Sequence, residues 1–179
     1  VIKHNDENSL HTNLVLWGNN LSSTVGVRFS RSQLSLVKLP LYIRSVIVGL
    51  VISDGWIIFE NKTSKNALLG FSQSGANSIY AWYVFSILSH YCPSYPIFRE
   101  RKHKGKFSYA IQFKTRSMAC ITELRRLFYP EGIKVIPNNI YELLTPIALA
   151  HIIMGDGQGA RHGIVLCTNS FSVNDVVRL

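Results

Sequence analysis

Apolar residues recur along most of the chain with a period that changes in an ordered way. From Leu41 the positions Leu41, Val46, Ile47, Leu50 and Val51 fall at mixed three- and four-residue steps. That spacing predicts a helix with Pro40 at its first turn and Asp54-Gly55 at its end. Residues 56–59 and 67–73 read as strands around a polar turn at 61–66, and residues 77–90 as an amphipathic helix. Residues 95–101 then turn at His103-Lys104-Gly105 into residues 107–115. There Phe107, Tyr109, Ile111 and Phe113 alternate with Ser108, Ala110, Gln112 and Lys114, so one face is apolar and one polar. Ser117 is expected to cap a helix through Met118, Ile121, Leu124 and Phe128, followed by loops at Pro130-Glu131-Gly132 and Pro137-Asn138-Asn139. Thr145-Pro146, a good N-cap and a good first helical residue, opens a helix through Leu149, Ile152 and Ile153 to Asp156-Gly157. A short turn, a strand at 163–168 and the start of a helix at 173–179 complete the pattern. Residues 1–38 show no sustained period and read as an extended or loosely packed lead-in. The expected organisation is therefore a lead-in at 1–38, a first unit at 39–142 and the start of a second, shorter unit at 143–179.

Composition narrows the class. The 179 residues are 47% hydrophobic, enough for a core, and only 16% are charged, which excludes a disordered chain. Yet Lys and Arg total 19 against 10 acidic residues, for a net charge of +9. So basic an excess on so few charges points to a surface that meets a polyanion. The longest apolar run, residues 46–52, falls far short of the roughly 20 needed to span a bilayer, so no membrane partner is expected. Cys92, Cys120 and Cys167 include no CxxC pair, which makes reduced, structural thiols the expectation.

The two helix ends carry the strongest chemical signal. Ile47-Val48-Gly49-Leu50-Val51-Ile52-Ser53-Asp54-Gly55 and Leu149-Ala150-His151-Ile152-Ile153-Met154-Gly155-Asp156-Gly157 share an apolar lead-in and close on Asp-Gly. A carboxylate at a helix C-terminus faces the negative end of the macrodipole, an unfavourable arrangement that a bound cation reverses. Gly49 and Ser53, matched by Ala150 and Gly155, let two such helices approach closely and bring both aspartates to one end of a shared seam. The plainer alternative is an ordinary Asp-Gly turn after each of two core helices. His151 is read as a partly buried seam residue; a zinc set with His162 and Cys167 lacks ligand spacing.

These motifs resemble those of the LAGLIDADG homing endonucleases, particularly the two-motif proteins encoded in group I introns of fungal mitochondria. The likeness covers residues 41–179 and rests on both Asp-Gly motifs and on Gly70-Phe71-Ser72-Gln73-Ser74. It also rests on Ile133-Lys134-Val135-Ile136-Pro137-Asn138-Asn139-Ile140, on Leu144-Thr145-Pro146, and on Ile164-Val165-Leu166-Cys167-Thr168-Asn169-Ser170-Phe171. The lead-in Leu21-Ser22-Ser23-Thr24-Val25-Gly26 is similar as well. The resemblance implies an α+β fold of pseudo-symmetric αββαββα units with curved antiparallel sheets, the second unit incomplete. It implies Asp54 and Asp156 as ligands of Mg²⁺ or another divalent cation beside a scissile phosphate, Lys134 as the basic residue that stabilises phosphate charge, and Gln73 and Asn169 as the residues that position water.

The basic run Arg99, Arg101, Lys102, Lys104 and Lys106 lies at the second hairpin and reads as a phosphate clamp. Ser108, Gln112, Lys114 and Arg116 lie on or beside the polar face, where they can reach base edges. Lys62, Ser64, Lys65 and Asn66 at the first hairpin tip are similar candidates. Trp82, Tyr83 and Phe85, at helical spacing, are expected in the core. The function expected is a site-specific, Mg²⁺-dependent endonuclease that cuts double-stranded DNA at a long asymmetric target in mitochondria and promotes intron mobility. The alternatives are an RNA maturase that binds its group I intron RNA, and an inactive truncated relic. A monomer is expected for a full-length protein, and an oligomer or a completing partner for a truncated one.

Overall fold

The computed structural model describes residues 24–103 and 106–179. Its elements, in chain order, are α1 (Arg31–Leu36), α2 (Leu41–Ile52), β1 (Gly55–Phe59), β2 (Ala67–Ser74), α3 (Ser78–Leu88), β3 (Ile97–His103), β4 (Lys106–Lys114), α4 (Ala119–Phe128), α5 (Ile140–Leu143), α6 (Pro146–Asp156), β5 (Gly157–Ala160), β6 (Gly163–Leu166) and α7 (Val173–Arg178). From α2 to α4 the order is αββαββα, as expected, and α6 to α7 repeats its first half. No helix among the described residues is long and apolar enough to cross a membrane.

The chain forms two compact units. One comprises residues 30–72 and 117–179; the other contains residues 73–116 and the described segment 24–29. In the first, α2 and α6 pack against each other, and nine of the twelve residues of α2 are buried. A helix buried on nearly all sides needs no polar face, which is why its apolar positions are almost continuous. Pro40 stands at the N-cap of α2, one position before the expected first turn. Thr145 caps α6 as expected, its Oγ1 accepting the Ala148 N–H at 3.2 Å, with Pro146 at the first helical position. β1 and β2 pair antiparallel from Gly55 opposite Phe71 to Phe59 opposite Ala67. β5 and β6 pair from Gly157 opposite Leu166 to Ala160 opposite Gly163. β5 occupies what reads as a turn, because Gly-Gln-Gly-Ala offers no apolar alternation and all four residues are exposed. Ser117 does not cap α4: the N-cap is Met118, held extended by its N–H donating to Ala67 O at 3.0 Å.

α1 stands where no period predicts a helix. Ser30 and Gln33 form a reciprocal capping box, and none of its residues is buried, so capping rather than packing specifies it.

In the other unit, Phe85 and Phe113 meet edge to face at 5.5 Å within a core that includes Ala81, Val84, Leu88 and Ile111. Phe85 is core as expected, but Trp82 and Tyr83 are 42% and 49% exposed. α3 is apolar all round, so periodicity could not say which of its aromatics turn inward. β3 and β4 pair from Ile97 opposite Gln112 to His103 opposite Lys106. The apolar face of β4 is buried only at its inner end: Ile111 and Phe113 are covered, whereas Phe107 and Tyr109 are each 58% exposed.

Candidate active site

Two helices that end together need small residues where they touch. At Gly49 an added Cβ would stand 2.7 Å from His151 Cβ and press on the Ala148 carbonyl. At Gly155 it would stand 2.6 Å from Ser53 Oγ and 2.9 Å from Asp54 Oδ2. The seam residues of α6 are therefore Ala148, His151 and Gly155; Ala150, expected in the seam, is exposed, since it falls outside the three- and four-residue steps that link the others. His151, expected as a partly buried seam residue, lies in the seam but is buried more completely, and desolvation pushes its imidazole down to about 4.

The cradle at Gly155 brings the Asp54 carboxylate against α6 next to Asp156. Above α2, Ser53 Oγ donates to Gly49 O at 3.0 Å, and the chain turns at Ser53-Asp54 into β1. In the same register α6 runs two residues further and ends at Asp156 itself. Lys134 joins them, its Nζ donating to Ser53 O at 3.0 Å and Gly55 O at 3.3 Å, the carbonyls on either side of Asp54. Phe171 presents its ring 5.6 Å from the same ammonium. Burial pushes the Lys134 ammonium down, and the charges of Asp156 and Asp54 oppose that shift. Burial in turn raises the Asp156 carboxyl, opposed by Lys134. Two carboxylates and one ammonium converge, with a net negative charge.

This donor set fits a hard divalent cation. Both carboxylates are oxygen donors, and the close approach of Gly155 to Ser53 and to Asp54 Oδ2 sets the Asp54 carboxylate beside Asp156. No group of three or more His, Cys, Asp and Glu side chains suited to a metal occurs among the described residues.

The remaining sequence-predicted residues are distributed as follows. Gln73 is buried near the end of β2, where Asn77 Nδ2 donates to its Oε1 at 3.4 Å. Asn169 is exposed in the turn after β6. Lys62 and Lys65 are exposed at the first hairpin tip. Ser64 builds the turn, donating to Asn61 Oδ1 at 2.9 Å and accepting the Asn61 N–H. Asn66 Oδ1 accepts weakly from Thr122 at 3.4 Å. Arg99 pairs with Ala110 and Lys102 with Phe107, so these two cations lie on opposite faces of the second hairpin. The basic run is therefore not one single-faced clamp. Arg101 and Lys106 are placed by their backbones in register with Ser108 and His103, and Lys104 lies outside the described residues. Ser108 and Lys114 are exposed, Gln112 half-buried.

Arg116 requires a correction. It is 7% exposed; its guanidinium donates to the carbonyls of Thr24, of Val27 at 2.9 Å and of His90 at 3.1 Å, and stacks on Phe29. A side chain so committed holds segment 24–29 in place and cannot reach a base edge. Its partners lie far away in sequence, which hid them from a local reading. Sequence reasoning also missed Asp175 and Arg178, which contact the backbone near Lys134 and carry no motif.

Comparison with known proteins identifies the fold and the family. Two curated relatives are named cytochrome b mRNA maturase bI2. The chain is 28% identical to the one from Debaryomyces hansenii over 169 residues, which is 91% of this chain and 64% of that protein. It is 32% identical to the one from Saccharomyces cerevisiae over 148 residues, 77% of this chain and 35% of that protein. The chain thus spans less than two thirds of either relative. Among solved structures, the homing endonuclease I-WcaI bound to its DNA recognition sequence matches with a TM-score of 0.76 at 21% identity, over 89% of this chain and 75% of that one. That likeness establishes the fold. The profile of the LAGLIDADG DNA endonuclease family matches residues 44–179, a stretch that holds both Asp-Gly helix ends and the lysine beside them, and the chain is a member of that family.

Proposed function

We propose that this protein is a site-specific endonuclease of the homing type, acting on double-stranded DNA in mitochondria and promoting mobility of a group I intron. The observation that carries this reading is the convergence of Asp54 and Asp156 at one end of the α2–α6 seam, with Lys134 on the carbonyls that flank Asp54. Asp54 and Asp156 would hold Mg²⁺. When bound, the cation supplies Lewis-acid activation of water and stabilisation of the leaving oxygen in phosphodiester hydrolysis. The chain's own residues do the rest. The seam glycines fix the spacing of the carboxylates, burial strengthens their field, and Lys134 offsets negative charge that would otherwise repel phosphate. Gln73 and Asn169 would orient water. Lys62, Lys65 and Arg99 would contact phosphates, as exposed cations in a chain of net charge +9, while Ser108, Gln112 and Lys114, on the face that Arg99 shares, would reach base edges.

Asp54→Asn and Asp156→Asn should each lower cleavage by a factor of about 10³ or more while DNA affinity stays within a few-fold, since an amide keeps the shape but loses the charge that binds metal. Retained cutting by both variants would refute the reading.

Both curated relatives are named mRNA maturases, which favours a second role in RNA maturation; the form of it we propose is assistance in splicing of a group I intron RNA. Splicing assistance that survives Asp54→Asn would support an RNA-binding function separate from the acidic pair; a chain with no affinity for its intron RNA would exclude it.

A further inference from the structure

The segment that carries Lys134 is held from one side by α7. Ile136 is fully buried and both of its backbone polar groups are engaged by that helix: its N–H donates to Asp175 Oδ1 at 3.1 Å, and its carbonyl accepts from Arg178 Nη1 at 2.6 Å. The same arginine nitrogen pairs with Asp175 Oδ1 at 3.2 Å, while the Ser172 hydroxyl donates to Asp175 Oδ2 at 2.7 Å. Val135, between Ile136 and the lysine, donates its N–H to Phe128 O at 2.8 Å. Asp175 is only 7% exposed, and a carboxylate is costly to cover unless its oxygens are hydrogen-bonded. Here both oxygens are, and one of them is spent on the backbone two residues from Lys134.

A lysine side chain has four rotatable bonds and loses considerable rotamer freedom when its ammonium is fixed. Where its Cα is anchored therefore decides whether the ammonium can reach both carbonyls beside Asp54. We propose that Asp175 and Arg178 are positioning residues for the candidate active site: their clamp on Ile136 sets the 134–136 segment so that Lys134 holds the turn carrying Asp54. The proposal rests on the roles assigned above to Asp54 and Lys134. It also gives α7, the helix that follows the second repeat's hairpin, a task at the first repeat's lysine, so that the two repeats depend on each other at the site.

The test uses the full chain with Asp175→Asn and Arg178→Gln, the second of which keeps the Asp175–Ile136 hydrogen bond and so guards against failure of the first to fold. Acylation of Lys134 by an amine-reactive ester, followed by peptide mass spectrometry without DNA or metal, reads the lysine's restraint directly. It should accelerate about tenfold, as expected for loss of a charge-assisted hydrogen bond, with Lys62 and Lys65 unchanged. In DNA cleavage each variant should lose about ten- to a hundredfold in kcat with little change in KM, and the loss should vanish in a Lys134→Met background, because a displaced group acts only through the group it displaces. Unchanged Lys134 labelling in both variants, equal acceleration at Lys62 and Lys65, or losses that add to that of Lys134→Met would each overturn the proposal. If the parent chain cuts no DNA, the endonuclease reading fails, and the labelling result still decides the clamp.

Discussion

Two buried ionisable side chains, Arg116 and His151, illustrate how single residues were fixed by contacts far off in sequence. Arg116 gives up hydration to satisfy carbonyls of Thr24, Val27 and His90. Arg116→Met should therefore cost about 2 kcal/mol of stability in denaturant unfolding, with carbonyls left to find water, rather than change which DNA sequence is bound. His151 is buried in the seam with its pKa lowered to about 4 from an ordinary value near 6.5. The unfolded chain then takes up a proton that the folded chain refuses, so stability falls as pH drops through the window from about 6.5 to 4 and levels off below it. A tenfold difference in proton affinity between the two states is worth about 1.4 kcal/mol, so His151→Gln should remove a pH dependence of about 3 kcal/mol between pH 7 and 4 in matched unfolding curves. A histidine on an apolar helix reads readily as a seam residue. Nothing local to Arg116 distinguishes a buried structural arginine from a base-reading one.

Elements were legible to the extent that local rules specify them. The Thr145-Pro146 cap, the Asp-Gly helix ends and the alternation in β4 predicted α6, α2 and the second hairpin, because capping, turn chemistry and period-two patterning act within a few residues. α1 and β5 escaped notice, the one specified by a capping box without an apolar face, the other by pairing with β6 alone. The exposed flank of α3 and the exposed outer end of β4 escaped for the opposite reason: sequence shows that a face is apolar, not how far along it burial extends. The seam is the element that matters most. Gly49→Ala would meet a backbone carbonyl that cannot swing aside, and Gly155→Ala would meet Ser53 and the Asp54 carboxylate. Each should destabilise by about 1–3 kcal/mol. Gly155→Ala should in addition lower metal-dependent cleavage by more than its stability loss explains, because it intrudes where Asp54 points. Equal effects of the two substitutions on cleavage would argue that the Gly155 contact has no bearing on the site.

At the scale of the whole molecule, family membership and fold follow from motifs that are spread along the chain and converge only after folding. Asp54, Asp156 and Lys134 are distant in sequence and meet because two apolar helices end together and a buried segment carries the lysine to them. The motifs were readable; the Asp175–Ile136–Arg178 clamp that holds that segment was not, since it uses backbone groups of an ordinary apolar residue. Charge belongs to this scale too. In a chain of net charge +9, the proposed phosphate contacts of the exposed cations should make DNA affinity fall linearly with salt on logarithmic axes, so cleavage and binding must be compared at one ionic strength. The account is tested most directly by incubating the chain with DNA that spans the intron-free insertion site, in Mg²⁺ and in EDTA, beside Asp54→Asn and Asp156→Asn. Double-strand cutting at one locus in Mg²⁺ alone, lost in both variants, is the predicted result. Cutting that persists in EDTA or in both variants, or no cutting by a folded chain that binds this DNA, would contradict it.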